Sequence, residues 1–166
     1  TFAVYPGEIL GLAGQLGSGS GDVLAAISGA RQSRSGRIIY NGESFLAKSP
    51  KEAIARGIAY CSDDRKLDGL FLGRPIIENL TSPALGAISK RGIIDLKAER
   101  DLALSNGTKF TVDVTRLDNE AGVLSGGNQQ KVALGKWLAI EPKIILVNEP
   151  TRGVDVGARA EIYAKL

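Results

Sequence analysis

The chain has 166 residues, 43% of them hydrophobic, which is enough for one compact domain, residues 1–166, with its own core. The net charge of +3 comes from scattered Lys and Arg, and only 5% of the residues are aromatic, so a nucleic-acid partner is not indicated. The single cysteine excludes an internal disulfide, and no apolar run is long enough to cross a bilayer.

Strand patterns alternate with helix patterns along the chain, and most are bounded by Gly, Pro, Asn or Ser. The short apolar runs that predict strands lie at 8–13, 36–42, 58–62 and 143–148. The patterns that predict helices lie at 20–30, 49–57, 75–80, 95–106, 128–140 and 156–166. This alternation predicts an α/β fold with a largely parallel core sheet. The chain opens inside a strand pattern and stops inside a helix pattern, so we expect a fragment truncated at both ends.

A glycine-rich turn lies between the first predicted strand and the first predicted helix. Its glycines follow the G-x-x-x-x-G spacing of a phosphate-binding loop, in which backbone N–H groups converge at a helix start. The predicted nucleotide-binding residues are Gly14, Gly17, Ser18, Gly19, Ser20, Gly21 and Asp22. The alternative is a Gly/Ser-rich turn that binds nothing.

Three positions of this turn depart from the phosphate-loop pattern. Ser20 replaces the expected lysine, and Gly21 replaces the Ser or Thr that would face Mg²⁺. Asp22 adds a negative charge where an anion would bind. We therefore expect weak phosphate and metal binding at this loop.

The stretch "LSGGNQQ" at 124–130 places a flexible polar turn directly before a helix. Taken alone, it indicates an N-cap, with Ser125 capping the helix that follows. Together with "KIILVNEPTRGVD" at 143–155, however, it resembles the signature, Walker B strand and D-loop of ATP-binding cassette (ABC) ATPases. With "DDRKLDGL" at 63–70, the closer resemblance is to the second ATP-binding half of ribose-, xylose- and galactose-type importers.

This resemblance implies a P-loop NTPase-like ABC cassette with a small antiparallel β part and a helical subdomain at approximately 75–135. It also implies two cassettes that pack head to tail, with ATP and Mg²⁺ between them. The implied partners are a second ABC cassette, transmembrane permease subunits and, indirectly, a periplasmic sugar-binding protein. The implied location is peripheral, on the cytoplasmic face of the inner membrane.

The resemblance also gives the signature residues a role toward the partner's nucleotide. Ser125 and the N–H groups of Gly126 and Gly127 would meet the γ-phosphate held by the other cassette, and Gln129 would add a polar contact. Glycine would be needed there because the backbone itself must approach the phosphate.

Four further residues occupy positions with a family role. Glu149 stands where the family keeps its general base. Asn148 replaces the aspartate that helps to hold the water shell of Mg²⁺, so it is expected to support only weak metal binding. Asp155 matches the D-loop aspartate and equally fits a helix N-cap. Asp63 is the Q-loop equivalent, or else part of an ordinary solvated charge run with its neighbours.

Three functions are compatible with these residues. The chain could be a fully active ATPase half of a sugar importer, or a half with a degenerate loop that lends its signature to the partner's site. The third is a soluble ABC ATPase without a transport role. The loss of the lysine and of the Walker B carboxylate favours the second, because each lost charge contact costs a few kcal/mol, about 3 on average.

Overall fold

The computed structural model describes residues 1–15, 17–33 and 35–166. The α-helices are α1 (Ser20–Ile27), α2 (Pro50–Ala55), α3 (Ile76–Thr81), α4 (Leu85–Ile88), α5 (Leu96–Lys109), α6 (Gly126–Gly135) and α7 (Val156–Tyr163). The strands are β1 (Ile39–Tyr40), β2 (Glu43–Ser44), β3 (Ile58–Cys61), β4 (Ser89–Lys90), β5 (Ile93–Ile94) and β6 (Ile144–Val147). Short 3₁₀ turns and one π-helical turn, Arg65–Gly69, connect them.

Within the described residues, the strands form one parallel pair and two small antiparallel hairpins. β3 pairs with β6 in parallel, with Ile58 opposite Ile144 and Cys61 opposite Val147. β1 pairs with β2, and β4 with β5, in antiparallel fashion. The α/β fold with a parallel core and a small antiparallel part is therefore confirmed. β6 ends at Val147, directly before Asn148 and Glu149, the residues to which the resemblance gives a site role.

The strand predicted at 8–13 is wrong. The segment forms no ladder with any strand of the described residues, and Ile9 is 86% exposed. An apolar run predicts that a segment needs burial, whereas a strand also needs a neighbouring edge to bond to. In this structure β3 and β6 bond to each other, and the apolar segment before the phosphate loop bonds to neither.

Two apolar cores hold the elements that carry the motifs. The larger core is shared by α3, α5, α6 and α7, and Leu80, Val132 and Ile162 are fully buried in it. The smaller one lies between α2 and the parallel pair and contains Ala53 and Leu146. Because α6 is buried along most of its length, its N-terminus has a fixed position and orientation.

The helix predicted at 128–140 begins earlier and changes form before its end. It starts at Gly126, because Ser125 is its N-cap, and becomes a 3₁₀ helix over Lys136–Ile140. Within the part of the chain that the structure describes, no helix has the length and apolar character needed to traverse a bilayer.

Candidate nucleotide site

The glycine-rich turn leads into the N-terminus of α1. Gly17 and Gly19 have φ angles of 83° and 89°, which are accessible mainly to glycine, and Gly19 is the N-cap of α1. The amide of Ser18 donates to the carbonyl of Gln15 at 2.9 Å, which closes the turn. Leu16, inside the predicted loop, lies outside the described residues. The turn thus supplies a curled backbone before a helix start, as the phosphate-loop prediction requires.

Two of the positions that depart from the family pattern, Gly21 and Asn148, are adjacent in the structure. A Cβ atom added to Gly21 would lie 2.9 Å from Asn148 Nδ2 and 3.3 Å from its Oδ1. Asn148 Nδ2 in turn donates to Asp63 Oδ1 at 2.8 Å. The amide of Asn148 therefore occupies the space that a Ser or Thr side chain at position 21 would need.

These residues do not fit a directly bound Mg²⁺ ion. Gly21 offers no hydroxyl, and Asn148 is neutral and turns its amide nitrogen toward Asp63. Asp63 also accepts a bond from Arg152, so its carboxylate is already engaged from two sides. Because Mg²⁺ prefers carboxylate and other oxygen ligands in octahedral geometry, we assign it no step at this loop. Weak binding through water at Asn148 stays a prediction.

The charge of Asp22 is partly offset. Asp22 lies in the first turn of α1 and forms an ion pair with Arg31, and both side chains are more than half exposed. An exposed pair of this kind is screened by solvent. The anion-repelling effect expected of Asp22 is therefore smaller than the sequence alone suggests.

The segment 63–70 is an organised structure, which argues against the solvated charge run. Asp64 caps the π-helical turn by accepting from the amides of Lys66 and Leu67 at 3.1 and 3.0 Å. Asp68 accepts from the Ser62 hydroxyl at 3.1 Å. Together with the bonds of Asp63, these contacts place the segment beside the end of β6. A role of Asp63 toward Mg²⁺ or the attacking water stays a prediction.

Ser125 lies at the surface, as a signature that meets a second cassette requires. It is exposed, and its hydroxyl accepts from the Asn128 amide at 3.4 Å. The first turn of α6 is closed by the bond from Gln129 N to Ser125 O, at 2.9 Å. The N–H groups of Gly126 and Gly127 precede it and have no intrahelical partner. They form the positive end of α6, which favours an anion.

Close packing within this chain also requires glycine at positions 126 and 127 of the signature. A Cβ added to Gly127 would lie 2.7 Å from Ala158 Cβ, and one added to Gly126 would lie 2.9 Å from the Gly153 carbonyl oxygen. The explanation from phosphate approach alone is therefore incomplete, because the segment after β6 packs against this turn.

Gln129 faces the interior, contrary to the contact expected with a neighbouring cassette. Its side chain is 6% exposed, and Nε2 donates to the Leu124 carbonyl at 3.1 Å. Gln129 therefore stabilises the turn before α6.

We expect Gly127→Ala to lower the free energy of unfolding by about 1–3 kcal/mol, because the new methyl overlaps Ala158 Cβ and the helices must move apart. Urea unfolding followed by circular dichroism measures this change. Gly86→Ala in α4 is the matched control, since a Cβ there meets nothing within 4 Å. Equal stability of the two variants would contradict the close packing of α6 on α7.

Glu149 and Asp155 lie on the turn between β6 and α7. Glu149 is exposed and has a φ of 48°, a left-handed conformation that costs a non-glycine residue about 1–2 kcal/mol. Such strain is typical of functional turns. Asp155 caps α7 by accepting from the Ala158 amide at 3.0 Å, which confirms the N-cap interpretation. The general-base role of Glu149 and the D-loop role of Asp155 stay predictions.

Three residues of this region were not singled out as site residues from the sequence. Arg152 pairs with Asp63, and Arg65 donates to the carbonyls of Arg152 and Gly153. Tyr60 lies beside Asn148, and burial raises the pKa of its hydroxyl. The charged motif at 63–70 was the one feature of the sequence that pointed to this region. The motif could not show which of its side chains turn toward the end of β6.

Cys61, in contrast, is excluded as a nucleophile. It is buried on β3, and burial raises the pKa of its thiol to about 11, so the thiolate is scarce at neutral pH.

Several ATP-binding proteins of importers are similar to this chain in sequence. The chain is 45% identical over 163 residues to "Ribose import ATP-binding protein RbsA" of Geobacillus kaustophilus strain HTA426, a match that covers 98% of the chain and 33% of that protein. The ribose import ATP-binding protein RbsA of Lactococcus lactis subsp. cremoris strain SK11 is 43% identical over 163 residues, with the same coverage. The chain thus spans about a third of the length of these relatives.

Solved structures of ATP-binding cassettes have the same fold. The ATP-binding cassette MJ1267 of an ABC transporter superimposes with a TM-score of 0.72 at 25% identity, covering 90% of this chain and 61% of that one. The post-hydrolysis dimer of the cassette MJ0796 bound to ADP and Pi gives a TM-score of 0.73 at 24% identity, covering 90% and 64%. The sequence model described as "ABC transporter" matches residues 1–152. With that match over most of its length, the chain belongs to the ABC transporter family.

Proposed function

We propose that this chain is an ATP-binding half of an ABC importer for a simple sugar, with a degenerate phosphate loop of its own. In this proposal its signature turn completes the ATP site of a second cassette. The similarity to ribose import ATP-binding proteins supports the substrate class. The chain's coverage of about a third of those proteins fits a polypeptide with more than one domain.

The observation that carries the proposal is the contrast between the chain's own glycine-rich loop and its signature turn. At the chain's own loop, the Gly21–Asn148 contact fills the position of the metal-facing side chain, and Ser20 brings no cation. At the signature, Ser125 is exposed and caps α6, and two backbone N–H groups precede the first intrahelical bond. The loop is poorly equipped for nucleotide, whereas the signature turn presents the exposed Ser125 and a helix start that favours an anion, with Gly127 buried behind them.

If the chain is part of an importer, its other partners are a second cassette, the permease subunits and a sugar-binding protein. ATP binds between this chain and the second cassette, with Mg²⁺ held mainly by the second cassette's own residues. Transmembrane permease subunits dock on the pair at the cytoplasmic face of the inner membrane, and a periplasmic sugar-binding protein delivers the sugar to them. The similar cassette MJ0796 forms a dimer in its post-hydrolysis structure, which supports a pair of cassettes here.

The test is the ATP turnover of the purified chain. We expect no hydrolysis above the protein-free baseline, because the loop lacks both the lysine and the metal-facing side chain. Glu149→Gln is the matched control, since any turnover that belongs to this site should disappear with the candidate base. Robust hydrolysis that Glu149→Gln removes would favour the alternative, a fully active half. No contact in the described residues favours a soluble ABC ATPase without a transport role.

A further inference from the structure

The side chain of Arg65 joins three segments that are far apart in sequence. Its Nη1 donates to the Arg152 carbonyl at 2.6 Å, and its Nη2 donates to the Gly153 carbonyl at 3.2 Å. These acceptors lie in the turn between β6 and α7, 87 and 88 positions further along the chain. The planar guanidinium is suited to such a double contact, because its donors are held in a fixed fork.

The same guanidinium touches the signature turn. A Cβ added to Gly126 would lie 3.0 Å from Arg65 Nη2 and 2.9 Å from the Gly153 oxygen. A Cβ added to Gly153 would lie 3.5 Å from both Nη1 and Nη2. Arg65 therefore fills the space between the first residue of α6 and the turn that precedes α7, and glycine on both sides lets it fit there.

No carboxylate within the described residues holds Arg65. The neighbouring acids are engaged elsewhere: Asp63 with Asn148 and Arg152, Asp64 with the π-helical turn, and Asp155 with α7. The Nε atom of Arg65 is buried and has no hydrogen-bond partner. The side chain is thus held by bonds to two backbone carbonyls at the protein surface and by packing around Nε, and not by an ion pair.

We propose that Arg65 is a positioning residue for the partner's ATP site, setting the signature turn and the turn at 152–153 at a fixed distance from each other. This rests on the proposed function, in which the N–H groups of Gly126 and Gly127 meet the partner's γ-phosphate. Donors of this kind act only when they are held in place before the reaction, so a displacement of about 1 Å lowers the rate of the chemical step. Loss of Arg65 should therefore lower kcat and leave KM for ATP nearly unchanged.

The experiment uses the full-length protein with its permease, and compares Arg65→Ala, Arg65→Lys and Lys66→Ala. We expect both Arg65 variants to lower kcat of sugar-stimulated ATP turnover about tenfold, with KM for ATP within about twofold. Arg65→Lys should fail to rescue, because a single ammonium cannot bond two carbonyls in the same fork. Lys66→Ala is the matched control, since that neighbouring side chain is exposed and cationic, and it should leave kcat unchanged.

Hydrogen–deuterium exchange of the same variants is the second readout. Amides of 126–128 and 151–154 should exchange about tenfold faster in Arg65→Ala, while those of α5 stay unchanged. Unchanged exchange at both turns would overturn the proposal, as would faster exchange with an unchanged kcat, or rescue by Arg65→Lys. Failure of the proposed function is recognised separately by Ser125→Arg in the same importer. Parental turnover in that variant would mean that the signature serves no partner, whereas lowered turnover there with an unchanged kcat in Arg65→Ala would overturn the role of Arg65 alone.

Discussion

Ser125→Arg in the full-length importer should reduce sugar uptake and uptake-coupled ATP turnover by about two orders of magnitude. Ser125 is exposed at the positive end of α6, beside the N–H groups of Gly126 and Gly127. A long side chain there would occupy the space through which the partner's γ-phosphate must approach. The substitution also removes the cap on the Asn128 amide, which costs about 1 kcal/mol of stability and does not explain so large an effect.

Two measurements make this result specific. Val123→Arg introduces the same side chain two positions earlier, at a residue that is 61% exposed, and should leave uptake within about twofold of the parent. Nucleotide affinity at this chain's own loop should also be unchanged, because the loop is built from other residues. Parental uptake by Ser125→Arg would mean that the signature does not serve a second cassette.

Local structure was predictable where a residue type strongly favours one backbone conformation, as at helix starts and tight turns. A Ser-Pro pair typically starts a helix, and the structure has Ser49 as the cap of α2, which begins at Pro50. An Asn-Gly pair typically makes a tight turn, and Asn41 and Gly42 have φ angles of 51° and 83°. The segment 8–13 was not predictable in the same way. Its composition reports a tendency to be buried, and the strand that would bond to it is a property of the tertiary fold.

The site was predictable as a set of motifs but not as a set of contacts. The sequence places Gly21 and Asn148 more than a hundred positions apart, and each departure alone weakens metal binding. Only the fold shows that the two positions are adjacent, so that both departures remove oxygen ligands from one place. The inward turn of Gln129 and the carbonyl contacts of Arg65 are likewise set by packing, which has no periodic signal in the sequence.

The combined variant Ser20→Lys, Gly21→Ser and Asn148→Asp should raise the affinity of this chain's loop for MgATP by about a hundredfold. Lysine restores a cation toward the phosphates, and the serine hydroxyl with the new carboxylate restores oxygen ligands for Mg²⁺. A charge-assisted contact of this kind is worth about 1.5–3 kcal/mol, so two of them at the low end of that range, about 3 kcal/mol together, account for a hundredfold gain. Titration with a fluorescent ATP analogue, with and without Mg²⁺, measures it.

The single substitutions should not share this gain, because the residues are in contact. Gly21→Ser alone places its hydroxyl beside the neutral amide of Asn148, which is a poor partner for Mg²⁺. Asn148→Asp alone places a second carboxylate beside Asp63, where Nδ2 now donates at 2.8 Å, with no serine hydroxyl to complete the site. Ser20→Lys alone should improve affinity without any dependence on Mg²⁺. Dependence on Mg²⁺ should therefore emerge only when Gly21→Ser and Asn148→Asp are combined. If either one alone produced it, one restored oxygen ligand would be enough for Mg²⁺, and the joint loss at Gly21 and Asn148 would not be what keeps the metal out.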